Sequence, residues 1–220
     1  LLVMSILLNL ETNQIDYTAA FVHAPIDCLV YVEAPVGFRQ QIGDVDYVWK
    51  LNKSLYGLCQ SPRNYFLYTK EKLESMGFVQ SIADPCVFMS AEIICLIYCD
   101  DALLFFKNKQ AIENLKQKMR DDGMLFCEED SVAGYLGVHM DRRDDGTINL
   151  TQSGLAGCII EAMHLNDNSV DPVDVPCTKF LPLDEFSCPA DGEFSYPSVV
   201  GQLNYLQGHL RPDITMATSQ

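Results

Sequence analysis

The sequence predicts an α+β fold in which an antiparallel sheet is backed by helices. Two short apolar runs, Ile93–Tyr98 and Ala102–Phe106, are rich in Ile, Tyr and Phe, and the chain between them has room only for a tight turn. That is the pattern of two buried strands joined as a hairpin. Further strand-like runs alternate with helical stretches along the chain, which places helices against a sheet. The 220 residues, 48% hydrophobic and 20% charged, have the composition of a globular protein and suffice to bury a core in one or two domains.

Taken in order, Leu1–Leu10 reads as a helix buried on most of its faces, and Thr12–Tyr17 as a short strand. Val30–Val32 begins an extended piece that Pro35 ends, Asp44–Asp46 is a polar turn, and Tyr47–Leu51 is a strand. Leu55–Leu58 is a loop. Ser61 is placed to cap the next helix with Pro62 at its first position, and Gly77 closes that helix after Met76. Cys86–Met89 is a strand, followed by the hairpin and by the amphipathic helix Gln110–Met119. Leu125–Cys127, Tyr135–Met140 and Thr147–Leu150 read as strands, the last two joined at Asp144-Asp145-Gly146. Ser153 caps a helix to Met163, Asn166–Gly192 is a loop rich in Pro, Asp and Ser, and Tyr196–Gly208 is a final helix.

The hairpin turn carries Asp100 and Asp101 where Gly or Asn is usual. Two readings stand side by side. The acids face water at a hairpin tip, or they hold a divalent cation, for which hard oxygen ligands suit Mg²⁺ or Mn²⁺. Like charges this close raise one another's pKa unless a cation offsets them, so a metal site calls for a third acid from elsewhere. Asp16, at the end of its own strand, is the candidate, and three converging carboxylates would suit two-metal phosphoryl transfer.

The formal charge of −15 argues against an extended nucleic-acid surface within the chain. Nine cysteines with no CxxC pair fit a reducing compartment and exclude a zinc-finger spacing. The apolar opening is far shorter than a membrane span and lacks a signal peptide's basic flank, so no membrane partner is expected.

Several motifs together resemble the reverse transcriptase of copia-type LTR retrotransposons. Gln14-Ile15-Asp16 through Ala20-Phe21 is similar to that family's first catalytic motif, followed by Val30–Phe38. Lys50–Leu58 with Gln60 and Pro62-Arg63 is similar to its most recognisable signature. Gly77-Phe78, Asp84–Phe88, Tyr98-Cys99-Asp100-Asp101, Tyr135–Val138, Leu150–Gln152, Tyr196 with Val200–Leu206, and Arg211–Ile214 follow in the family's order. Any one match is weak; their joint order and spacing carry the resemblance.

The resemblance implies an RNA-directed DNA polymerase with a palm subdomain over 1–150 and a partial thumb or connection region over 151–220, the fingers being largely missing. It implies Asp16 and Asp100 as metal-bridging catalytic acids, Asp101 as a supporting acid, and Mg²⁺, with Mn²⁺ as a substitute, as cofactor. Phe21 would be the wall against a ribose 2′-hydroxyl, and Tyr56 and Gly57 the floor beneath the incoming nucleotide. Tyr98, Leu136 and Gly137 would lie toward primer and template. The plain alternatives are a core Phe, a helix-entry loop, a packed strand-end Tyr, and a Gly kept for backbone geometry. Implied partners are a primed RNA or DNA template, deoxynucleoside triphosphates, and the RNase H and integrase parts of one polyprotein. The implied location is a retrotransposon particle in the cytoplasm, with nuclear access of its product. Cys59 stands where the family usually has Lys, and Cys99 where it usually has Val. The competing readings are a catalytically silent retroelement remnant serving at most as an interaction module, and an unrelated acidic Ca²⁺- or Mg²⁺-binding domain, which would cluster its ligands in one local loop.

Overall fold

The computed structural model describes residues 1–39, 41–42, 45–129, 135–165, 175–176 and 194–219. The chain divides into two compact units, Leu1–Val132 and Ala133–Gln220. This division falls ahead of the hairpin at 139–151, whereas the sequence reading put its boundary after 150.

The first unit opens with α1 (Leu2–Leu7), β1 (Glu11–Tyr17), β2 (Tyr31–Glu33), β3 (Gln41–Ile42), β4 (Val45–Asp46) and β5 (Val48–Lys50). It continues through α2 (Ser61–Ser75), β6 (Val79–Gln80), β7 (Val87–Met89), β8 (Ile93–Tyr98), β9 (Asp101–Phe106), α3 (Lys109–Asp121) and β10 (Phe126–Glu129). Six strands form one antiparallel sheet in the order β10-β1-β9-β8-β7-β6, while β2 pairs with β5 and β3 with β4.

Register decides which residues face the core, because directly opposite residues of an antiparallel pair share a face. Ile15 pairs with Ala102, which pairs with Ile97, and Cys95 pairs with Leu104. All are buried in one cluster with Tyr65 and Leu73 of α2 and Ala111, Ile112, Leu115 and Met119 of α3. The opposite face of the same central strands carries Asp16, Asp101 and Tyr98. The sheet therefore turns its core side to the helices and its acids away from them.

Helix α3 starts cleanly because the Asn108 side chain accepts the Gln110 backbone N–H at 3.0 Å. Its buried Lys116 donates to Glu128 on β10 at 2.7 Å, and Arg120 pairs with the same carboxylate. Helix and edge strand are thereby tied beside β1.

Several expectations change. Only Ser5 of α1 is buried, and Val3 and Leu7 are 69% and 77% exposed. Six residues make fewer than two turns, so the helix presents too short a stripe to pack on most faces. Ser61 is the first residue of α2 and not its cap, which is Gln60. The hairpin turn is Cys99-Asp100, since Tyr98 pairs with Asp101. Residues 45–46, expected in a turn, form β4, and β6 carried no clear sequence signal.

The second unit contains β11 (His139–Arg142) and β12 (Ile148–Thr151), then α4 (Ser153–Ala162), α5 (Tyr196–His209) and α6 (Thr215–Thr218). A small cluster of Ile159, Val199 and Leu206 joins α4 to α5. The expected strand from Tyr135 starts only at His139, because Leu136 and Gly137 have φ of 54° and 69° and turn the chain instead. Ser153 opens α4 without capping it, following Gln152. The expected loop 166–192 lies outside the described residues apart from 175–176. No helix among the described residues is long and apolar enough to cross a membrane.

Candidate active site

The backbone sets the acids before any side chain acts. The Tyr17 N–H donates to the Asp100 carbonyl at 2.7 Å, which makes that pair hydrogen-bonded in the ladder. Hydrogen-bonded and non-bonded pairs alternate in an antiparallel ladder, so the neighbouring pair, Asp16 and Asp101, is of the closer, non-bonded kind. Two carboxylates from distant parts of the chain thus stand directly opposite each other on the non-core face. Asp100 sits beside them at the turn, exposed. Cys99 accommodates the turn by taking φ of +52°, the role that Gly or Asn usually plays.

Burial, with the nearby charges of Asp100 and Asp16, pushes the Asp101 carboxyl above its ordinary range. A hydrogen bond from Gln14 opposes that rise: its Nε2 donates to Asp101 Oδ1 at 3.1 Å. Burial, then the charges of Asp100 and Asp101, likewise raise the Cys99 thiol. Among the described residues, no group of three or more His, Cys, Asp or Glu is drawn together to hold a metal ion. The arrangement is instead an opposed pair with a third acid at the adjacent turn. This donor set fits Mg²⁺, which binds protein through one or two carboxylates and completes its shell with water and substrate phosphates.

An aromatic platform borders the hairpin that carries Asp100 and Asp101. Phe21 stands in a 3₁₀ turn, Ala20–His23, entered through Ala19 at φ of 52°. Its ring lies 4.7 Å from that of Tyr56 and 5.8 Å from that of Tyr65, centroid to centroid. Phe21, Tyr65, Tyr98 and Cys99 line one cavity of about 210 Å³, so platform and hairpin border a common space. Gly57, at φ of +91°, turns the loop that carries Tyr56.

That loop is clamped from below. The Ser61 hydroxyl donates to the Leu55 carbonyl at 2.6 Å and accepts the Leu55 N–H at 3.2 Å. Buried Asn64 donates to Ser54 Oγ at 3.3 Å and to Asp27 Oδ1 at 3.1 Å, and that bond heads the causes holding Asp27 below the ordinary carboxylate range.

Gln14, Ser61 and Asn64 were not singled out as functional by sequence reasoning. For Gln14 a signal existed: it lies two residues before Asp16, hence on the same face of its strand. Leu136 and Gly137 belong to the second unit, where the Leu136 carbonyl accepts the Tyr205 hydroxyl at 2.7 Å.

Comparison with known proteins bears on the family of the chain. The family model described as "Reverse transcriptase (RNA-dependent DNA polymerase)" matches residues 1–179. The chain is 33% identical over 96% of its length to the "Retrovirus-related Pol polyprotein from transposon TNT 1-94" of Nicotiana tabacum, covering 16% of that relative. It is 28% identical over 94% of its length to the corresponding polyprotein from transposon RE1 of Arabidopsis thaliana, covering 14% of it. It is 27% identical over 93% of its length to a putative transposon Ty5-1 protein of Saccharomyces cerevisiae, covering 67% of it. The chain thus spans about a sixth or less of the plant polyproteins. An opposed acid pair at the end of a helix-backed sheet and a family match over most of the length lead to one assignment: this chain belongs to the reverse transcriptases, as a domain of the kind carried in copia-type retrotransposon Pol polyproteins.

Proposed function

We propose that the chain supplies the catalytic palm of an RNA-directed DNA polymerase, over residues 1–150, with part of a thumb or connection region over 151–220. The observation that carries this reading is the register that sets Asp16 opposite Asp101 with Asp100 at the next position. Asp16, Asp100 and Asp101 are the acids that would hold Mg²⁺, or Mn²⁺ in its place. When bound, such cations supply Lewis-acid charge at a primer 3′-hydroxyl and at a triphosphate.

The protein's own contribution is position. The ladder holds the acids at fixed spacing, so little reorganisation is needed when charge develops. Phe21, backed by Tyr56 and Tyr65, presents a flat wall to the sugar of an incoming deoxynucleotide. Tyr56 and Gly57 form the floor beneath its base. Tyr98 meets the primer end in this reading, which its place on the Asp101 face and its 54% exposure support. Leu136 and Gly137, which lie in the second unit, are the residues we assign to primer and template there. The substrates are a primed RNA or DNA template and deoxynucleoside triphosphates, with RNase H and integrase parts in the same polyprotein and a cytoplasmic retrotransposon particle as the setting.

Primer extension by the polyprotein segment that contains this chain tests the reading. Asp16→Asn and Asp101→Asn should each cost on the order of 10³-fold or more in rate, the scale of losing a preorganised electrostatic group. Extension that survives both substitutions would overturn the assignment, and a segment that never extends would favour the silent-remnant alternative.

A further inference from the structure

We propose that Gln14 is a positioning residue for Asp101: its side-chain amide fixes the carboxylate in the orientation from which Asp101 meets a divalent cation.

Gln14 is 2% exposed, and its partner in the β1–β9 register is Leu103. Its side chain nevertheless reaches diagonally along the face to Asp101, where Nε2 donates to Oδ1 at 3.1 Å. The other end of the same amide, Oε1, is buried with no hydrogen-bond partner among the described residues. Leaving a buried acceptor unsatisfied is costly, because it gives up its bonds to water and gains none. If the position served packing alone, Leu or Met would fill the space without that cost. The amide therefore makes sense through its donor, whose one target among the described residues is Asp101. The assignment of nitrogen and oxygen follows from the same contact, because the flipped amide would set two acceptors against each other with no proton between them.

The bond engages one of the two Asp101 oxygens and fixes the plane of the carboxylate. Metal-bound carboxylates are commonly held in this way by a neighbouring donor, and losing such a donor typically costs 10–100-fold in metal affinity. This inference rests on the assignment of Asp101 to the metal-holding acids made above.

The test is Mn²⁺ binding to the 220-residue chain, read by electron paramagnetic resonance, for the wild type, Asp101→Asn and Gln14→Met. Both substitutions should weaken binding, Gln14→Met by about 10-fold or more, while thermal melts show the fold intact. If Asp101→Asn leaves Mn²⁺ affinity unchanged, the assignment of the acids fails. If Asp101→Asn abolishes binding and Gln14→Met matches the wild type, the acids stand and the role of Gln14 falls. The unsubstituted protein provides a second readout that depends on no variant folding. The side-chain amide ¹⁵N–¹H₂ resonances of Gln14 should shift when Mg²⁺ is added, and should not shift in Asp101→Asn. A Gln14 amide unmoved while the Asp101 backbone resonance responds would overturn the proposal.

Discussion

The ring of Phe21 lies tilted on that of Tyr56, 4.7 Å away, although the two residues come from separate loops on either side of β2–β5 in the chain. Phe21 also reaches Tyr65 at the core, so one side chain joins the buried cluster to the half-exposed Tyr56. A ring held from two sides excludes by shape, and it cannot rotate away cheaply.

Phe21→Val should therefore change sugar selection more than rate. In an extending segment, the preference for deoxynucleotides over ribonucleotides should fall by roughly 10- to 200-fold, the range that contact in an apolar pocket commands. Competition of the two triphosphates in single-nucleotide insertion reads this directly. An unchanged ratio would return Phe21 to a core residue and nothing more.

Ser61→Ala should loosen the same platform from beneath. Both bonds to Leu55 are lost, at about 0.5–1.5 kcal/mol each, although the Leu55 carbonyl keeps the N–H of Leu58. The expected signature is a raised KM for the incoming nucleotide with smaller change in kcat, accompanied by a drop in thermal midpoint. A lower midpoint with unaltered nucleotide KM would mean that the clamp serves folding only.

Much of this site was legible in the residues, for physical reasons that differ from place to place. The hairpin was readable because runs such as Leu103-Leu104-Phe105-Phe106 have few stable homes other than a covered strand. Asp16 could be placed at a strand end by its apolar neighbours, but only its register against Asp101 gives the pair chemical meaning. The turn was read one residue late because Cys99 adopts positive φ, which nothing in a Cys residue advertises. Ser61 was read as a cap because Ser before Pro usually is one; its hydroxyl turns back to Leu55 instead, a contact visible only once the loop is folded. Leu136 misled for the same reason as Cys99, taking a left-handed conformation inside an apolar run that otherwise reads as a strand.

Glu128 should give the fold part of its acid sensitivity. The bond from Lys116, then that from Arg120, holds its carboxyl below the ordinary glutamate range. A depressed folded-state pKa means that the stabilisation is present above the unfolded value and is lost as pH falls through the folded one, so the window lies below about pH 4.3. Glu128→Gln should cost about 1 kcal/mol at neutral pH, a low figure for a bond to a charge because the Glu128 side chain is 36% exposed. It should also flatten the fall in stability as pH drops below about 4.3. Urea unfolding across that range checks both, and an unaltered acid limb would show that other carboxylates dominate it.

Asp101→Asn should produce opposite effects on stability and activity. In the cation-free chain, Asp101 holds its charge against burial and against Asp16 and Asp100, each of which raises its pKa. Removing that charge relieves the repulsion, and Asn still offers Oδ1 to the Gln14 amide. The thermal midpoint of the cation-free variant should therefore rise above that of the wild type; a gain of about 1 kcal/mol corresponds to ~2–4 °C for a domain of this size. Adding Mg²⁺ should raise the wild-type midpoint by mass action and leave the variant almost unmoved, so the two curves should converge or cross as the cation is titrated. Extension should be lost in the same variant. A site kept at a cost in stability is what a cluster of like charges awaiting a cation requires, since the arrangement that strains the free protein is the one that binds. If Asp101→Asn lowers the cation-free midpoint, the carboxylate is part of the scaffold, and the strain argued here between Asp101 and Asp16 does not exist.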